Sequence, residues 1–357
     1  MQHIPLADWA KPNWGTDYKI VPMEAGPYHI SGFVTGDHVT LTANPYYWRG
    51  RPKIQTIIVK TVANSAALFS QVQAGDIQGT TLLPADVNVV DRSRFTVYSG
   101  PGASVIQLDL NLKRPYFADR RVRQALLYAI DRAGIARVVY SGQADVPNAD
   151  MQPVNPYYDP RLTPYRYDPS RVKALMTAAG WKPGADGVLA KNGTRFAFTV
   201  QYPVGNALYN ELATITQQNL AAVGITMRVL PTDPTILNRV YDPKDKTIRQ
   251  SFDAILTSYD SGPSPNLRYF YFCGASLNLS SYCNPALDQA IVATETAIGF
   301  QAQQRAQFST ETILNQDLPH LYLEAPRDLW VMDKRIQGFT QGYFQGLQSA
   351  WQWHWSS

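Results

Sequence analysis

The sequence predicts an α/β protein built as two lobes. The first observation is the order of apolar runs between 196 and 257. Phe196 to Tyr202 reads as a strand, Ala207 to Val223 as a helix closed by Gly224, and Thr226 to Leu230 and Asp253 to Thr257 as two further strands. Such a β-α-β order gives a partly parallel sheet. The second is length, since 357 residues are enough for two lobes with cores of their own. The third is composition: 45% hydrophobic and 17% charged residues suit a folded globular chain rather than a disordered one.

Several function classes are disfavoured at once. The net charge is +4 and the basic residues are scattered, so no Lys/Arg block marks a nucleic-acid surface. No apolar run approaches the roughly 20 residues that span a bilayer. The first residues, Met1 to Pro5, carry neither the basic nor the apolar region of a secretory signal. The histidines His3, His29, His38, His320 and His354 are dispersed, and no G-x-S-x-G, H-E-x-x-H or P-loop is present. Ser170-x-x-Lys173 lacks the companion motifs that would make it catalytic. The expectation is therefore a binding protein with no chemistry and no cofactor; a hydrolase with a two-lobed cleft is the enzymatic alternative.

The elements follow in chain order. Gly36-Asp37 reads as a hairpin turn between two alternating strands, and Asn44-Pro45 breaks the second. Tyr46 to Trp48 then offer an aromatic plug for the first lobe. Lys53 to Val62 reads as a strand, and Ala66, Leu68, Phe69, Val72 and Ala74 as a helix closed by Gly75. Ile106 to Asn111 is a strand. Asp119 is a natural N-cap for a helix with Val122, Ala125, Leu126, Ala129 and Ile130 on one face. Asp131 caps a second helix that turns Ile135, Val138 and Val139 inward. Arg121 and Arg123 are read as structural, paired with nearby carboxylates. Pro147 to Pro169 is a long loop without period, a kind that often carries function. Asp168-Pro169 starts a helix that Gly180 ends.

One stretch, Phe252 to Asp288, concentrates the chemistry. Its strand stops at Tyr259-Asp260, where a Gly-Pro-Ser-Pro loop opens, so Asp260 is presented at a strand end. Ligands of α/β folds usually sit there, although a turn aspartate that merely caps its own loop reads the same locally. Asn284-Pro285 looks like a helix start. The chain's two cysteines, Cys273 and Cys283, lie in this stretch. The short loop between them favours a disulfide and an oxidising compartment over zinc, which needs more soft ligands; two separate buried thiols is the other reading.

These motifs together resemble the family 5 extracellular solute-binding proteins, the peptide and nickel receptors of ABC importers. The matching strings are Gly26-Pro27-Tyr28, Asn44-Pro45-x-Tyr47-Trp48-x-Gly50, Pro115-x-x-x-Asp119-x-Arg121-Val122-Arg123-Gln124-Ala125 with Ala129-Ile130-Asp131-Arg132, and Tyr282-x-Asn284-Pro285-x-x-Asp288. The resemblance runs over nearly all of 17 to 345. It implies a periplasmic-binding-protein-like fold of type II, cluster C. The C-terminal α/β lobe would span 107–325, and 1–106 with 326–357 would form the remainder of an incomplete first lobe. It implies a periplasmic or extracellular protein, free or lipid-anchored at full length, that binds a peptide or similar small solute in the interlobe cleft. That protein would be a monomer and would deliver its ligand to ABC permease subunits; the ligand-sensing domain of a chemoreceptor-type system is an alternative.

Site residues come from the same source. In peptide-binding members the first acid of the motif holds the ligand's α-ammonium, which assigns that role to Asp260. The flanking strand-end groups Thr257, Ser258 and Tyr259 join it, with Asn206 and Asp233 at the neighbouring strand ends and Thr80 and Thr81 where such receptors place polar contacts. Some dipeptide receptors carry a similarly placed cysteine pair. One departure stands out: where dipeptide receptors have Asn-Ala-Arg to grip a carboxylate, this chain has Asn206-Ala207-Leu208. Longer or non-peptide ligands are therefore expected over dipeptides.

Overall fold

The computed structural model describes residues 25–62, 64–242, 251–260, 265, 267–342 and 346–356. The chain divides into two compact units, Met1–Gly100 with Asp328–Ser357, and Pro101–Arg327. The Gly-Pro-Ser-Pro loop expected at 262–265 lies, apart from Pro265, outside the described residues, as do Met1 to Pro5.

The smaller unit begins with an antiparallel sheet of β1 (Tyr28–Val34), β2 (His38–Ala43) and β3 (Thr56–Lys60). Gly36 sits at φ 77°, the left-handed region the hairpin turn requires. Helix α1 (Ser65–Ala74) is capped by the Asn64 side chain and ended by Gly75 at φ 88°. Strands β4 (Gly79–Thr81) and β5 (Phe95–Gly100) then await a partner from the far end of the chain.

The larger unit carries β6 (Ser104–Leu110), α2 (Arg120–Ala129), α3 (Arg132–Val138), β7 (Ala144–Asp145), α4 (Pro169–Ala178), β8 (Ala197–Pro203), α5 (Ala207–Ala221), β9 (Thr226–Thr232), α6 (Pro234–Asn238), β10 (Ala254–Asp260), α7 (Pro285–Thr296), α8 (Phe300–Asp317) and β11 (His320–Pro326). Its six-stranded sheet runs β9-β8-β10-β6-β11-β7. Strands β8, β9 and β10 are parallel, while β6 runs antiparallel to both β10 and β11. The chain then returns to the smaller unit as β12 (Asp328–Asp333), which pairs between β4 and β5.

Helix starts are set by short acceptor side chains. Asp119, Asp131, Asp168 and Asn284 each accept a backbone N–H in the first turn that follows. Along α2, Val122, Ala125, Leu126 and Ala129 are fully buried on the sheet, as the helical period requires. Arg121 pairs with Asp119, at 2.7 Å. Buried Arg123 instead donates to the backbone carbonyls of Phe117, Ala118, Asp317 and Leu318, so it is structural but not through a carboxylate.

Two expectations fail. Val138 is 73% exposed, because Ile135 and Val139, four residues apart, take the inner face of α3 and leave Val138 on its flank. Tyr46 and Trp48 are 85% and 75% exposed and form no plug. The Asn44 side chain accepts the Tyr46 N–H and turns the chain so that these rings point outward. Only Tyr47 leans on Trp351, with ring centroids 6.2 Å apart.

Candidate ligand site at the end of strand β10

Strand β10 runs to Asp260, matching the stop expected at Tyr259-Asp260, because β6 pairs with it residue by residue up to Asp260↔Ser104. This pairing decides which way each candidate residue faces, since side chains alternate across a strand. Ser258 and Asp260 share the face of Leu256, Leu108 and Ile106; Thr257 and Tyr259 share the face of Gln107 and Val105. The four consecutive candidates are thus split between the two faces of the sheet.

On the first face the Asp260 carboxylate is exposed at the sheet edge and accepts a hydrogen bond from the Ser104 hydroxyl. Ser258 is hydrogen-bonded to the hydroxyl of buried Tyr209, which comes from α5. Asn206 caps that same helix, its Oδ1 accepting the Tyr209 N–H at 3.1 Å. Val200 of β8 stands beside Ala254 of β10 in parallel register, so the carboxyl ends of both strands lie on one edge. Asp233 follows β9 on that edge and caps α6, accepting from the Thr235 N–H and hydroxyl; these bonds hold its carboxyl below the usual range. Leu208 is half-buried against the core and offers no charge to this edge.

On the second face Tyr259 packs its ring on Phe270, 3.8 Å between centroids, and burial pushes its phenol well above the usual range. Thr80 and Thr81 belong to the smaller unit. There they pair with Val331 and Trp330 of β12 and line a cavity of about 80 Å³ with Leu68, Phe69, Leu82 and Asp86.

No local motif points to what lies deeper on the second face. The His320 ring, on β11, bonds through Nδ1 to the Asp109 carboxylate of β6, opposite it in register, and both are buried. Gln107 Nε2 donates to Asp109 at 2.6 Å, and the hydroxyls of Tyr271 and Tyr322 meet at 3.2 Å. Asp150, from the long loop, is fully buried, and its carboxylate has no side-chain partner among the described residues. Burial pushes it up to about 7. His320 and Asp109 are 211 residues apart, and only the pairing of β6 with β11 brings them together.

The cover over this face is the segment that holds the cysteines. Cys273 and Cys283 form a disulfide, with Cα atoms 4.6 Å apart. The Cys273 N–H bonds to Asp288, and the Tyr282 hydroxyl and Asn284 amide both bond to Asp317, which knits the Tyr-x-Asn-Pro-x-x-Asp string into one unit. Among the described residues no group of three or more His, Cys, Asp or Glu is placed to hold a metal, and no helix is long and apolar enough to cross a membrane.

Comparison with known proteins agrees with this architecture. The family model described as bacterial extracellular solute-binding proteins, family 5 Middle, matches residues 2–280. The oligopeptide-binding protein AppA of Bacillus subtilis is 25% identical over 364 residues, covering 98% of this chain and 65% of its own length. A putative ABC transporter peptide-binding protein of Brucella ovis is 32% identical over 270 residues, covering 74% of this chain and 48% of its own. The ABC transporter substrate-binding protein CtaP of Listeria monocytogenes superposes with a TM-score of 0.81 at 22% identity, over 94% of this chain and 67% of that one, a likeness of fold. The chain thus spans between about half and two thirds of the length of these relatives. With a family match over 279 consecutive residues and the same fold in a solved relative, the chain belongs to the bacterial extracellular solute-binding proteins of family 5.

Proposed function

We propose that this chain is part of the substrate-binding component of an ABC importer. It binds a peptide or similar small solute outside the cytoplasmic membrane and presents it to permease subunits, without chemistry of its own. Asp260 carries the reading: an exposed carboxylate at the carboxyl end of a strand in a mixed sheet, held in place by a cross-strand hydroxyl. An ammonium group there forms a charge-assisted hydrogen bond, contributing on the order of 1.5–3 kcal/mol. The names of the relatives, oligopeptide-binding and peptide-binding, support a peptide as the ligand. Ser258, Asn206 and Asp233 supply polar groups along the same edge, with Thr257 and Tyr259 on the other face.

Leu208 packs on the core where dipeptide receptors resemble one another in carrying Arg, so a ligand carboxylate is held elsewhere, and longer or non-peptide solutes are favoured. The protein acts as a monomer. Native mass spectrometry of the full-length protein as expressed tests the reading. A co-purified peptide or amine-bearing solute is expected; a protein that carries no such ligand and binds none from a peptide panel contradicts it.

A further inference from the structure

We propose that Ser104 is a positioning residue of the ligand site, setting the Asp260 carboxylate in place before a ligand arrives; this rests on the reading of Asp260 as the amine anchor. Ser104 is the first residue of β6 and stands directly opposite Asp260 in the antiparallel register. Its hydroxyl donates to Asp260 Oδ1. An exposed aspartate at a strand end otherwise samples several rotamers, and a ligand would have to freeze one on binding. A hydrogen bond from the neighbouring strand removes part of that cost in advance, which raises affinity without any new contact to the ligand.

Ser104 is itself braced. The Gln152 side chain, 1% exposed, donates through Nε2 to the Ser104 carbonyl at 3.2 Å. Gln152 belongs to the long loop that separates α3 from α4, and Asp150 is buried two residues before it. The loop therefore reaches the start of β6 and fixes its first residue. Tyr209 on α5 braces the other neighbour, Ser258, on the same face. The anchor is held from the adjacent strand, and the residues beside it are braced by the long loop and by α5.

The test uses the full-length protein, immobilised and exposed to an equimolar library of tri- to pentapeptides with free amino termini and to the same library N-acetylated. Retained peptides are quantified by mass spectrometry, and thermal unfolding of each variant checks the fold. Wild type is expected to prefer free amines. Asp260→Asn loses that preference. Ser104→Ala weakens free-amine binding about tenfold at unchanged unfolding temperature, the size of one lost hydrogen bond to a charged group. It leaves retention of acetylated peptides unchanged, and Ser104→Thr, which keeps the hydroxyl, restores wild-type retention. If Ser104→Ala binds as wild type while Asp260→Asn does not, the positioning role is wrong and the anchor stands. A Ser104→Thr variant as weak as Ser104→Ala also overturns it, because the hydroxyl is then not the cause. If wild type shows no preference for free amines, or Asp260→Asn retains it, the anchor reading falls and this inference falls with it.

Discussion

The two faces of the six-stranded sheet are built from the same strands and follow opposite rules. On one face Leu108, Leu256 and Leu321 stack across β6, β10 and β11 and meet the apolar side of α2, all at or near zero exposure. On the other, the alternate residues of the same strands are Gln107, Asp109, His320 and Tyr322, buried to a similar degree. The first face gains from water exclusion in proportion to apolar area. The second pays desolvation for every polar group and recovers it only where partners exist. Asp109 and His320 have each other; Asp150 has no side-chain partner among the described residues. Apolar packing is therefore concentrated on the first face, where Glu324, opposite Ile106, is the buried exception, while the second carries most of the polar burial beneath a covalently stapled cover.

Substitutions on each face sharpen this contrast. The largest effect is expected on the apolar face. Leu256→Ala removes a side chain 1% exposed and should cost about 2–5 kcal/mol in chemical denaturation, the range for cavity-forming changes. A loss under about 1 kcal/mol would mean that this face is loosely packed.

The staple over the polar face comes next. Cys273 and Cys283 close a loop with a sequence separation of 10. Replacing both with Ser should lower stability by about 2–3 kcal/mol, from the chain entropy such a loop removes in the unfolded state. Equal denaturation midpoints for the paired variant and the wild type would show that the cover needs no staple.

The smallest effect has the opposite sign. The buried Asp150 carboxyl is raised to about 7 from an ordinary 3.8, chiefly by burial. Between those values the folded chain keeps a proton that the unfolded chain releases, so wild-type stability falls as pH rises from about 4 to 7. Asp150→Asn cannot ionise and should be more stable than wild type at pH 8. Because the new amide is also buried, the net gain is about 1–2 kcal/mol of the roughly 4 that the full shift represents. At pH 4 the gain should vanish. Thermal unfolding of both proteins from pH 4 to 8 checks this, and parallel pH profiles would remove Asp150 from the account.

What the sequence revealed follows the range of the interactions involved. Caps act within one turn, and Asp119, Asp131, Asp168 and Asn284 all begin helices as read. The parallel pairing of β8 with β9 and β10 follows from the β-α-β order, and the disulfide from the short separation of its cysteines. Less local features were misread. The direction of the turn after Asn44 decides that Tyr46 and Trp48 point outward, and their aromatic character carries no information about it. Strand β10 stops at Asp260 as read, but its pairing with β6, a segment about 150 residues earlier, sorts Ser258 and Asp260 from Thr257 and Tyr259 onto opposite faces. The His320–Asp109 pair depends on strand pairing alone, so dispersed histidines in the sequence hid a buried hydrogen-bonded pair.

The central claim is that the edge of the sheet at Asp260 binds an amine-bearing solute. Calorimetric titration of the full-length wild type and of Asp260→Asn with the tightest free-amine peptide found tests it most directly. The account predicts that the variant binds roughly tenfold or more weakly, by about 1.4 kcal/mol per decade, with an unchanged unfolding temperature because the carboxylate is exposed. Equal affinities for the two proteins would contradict it.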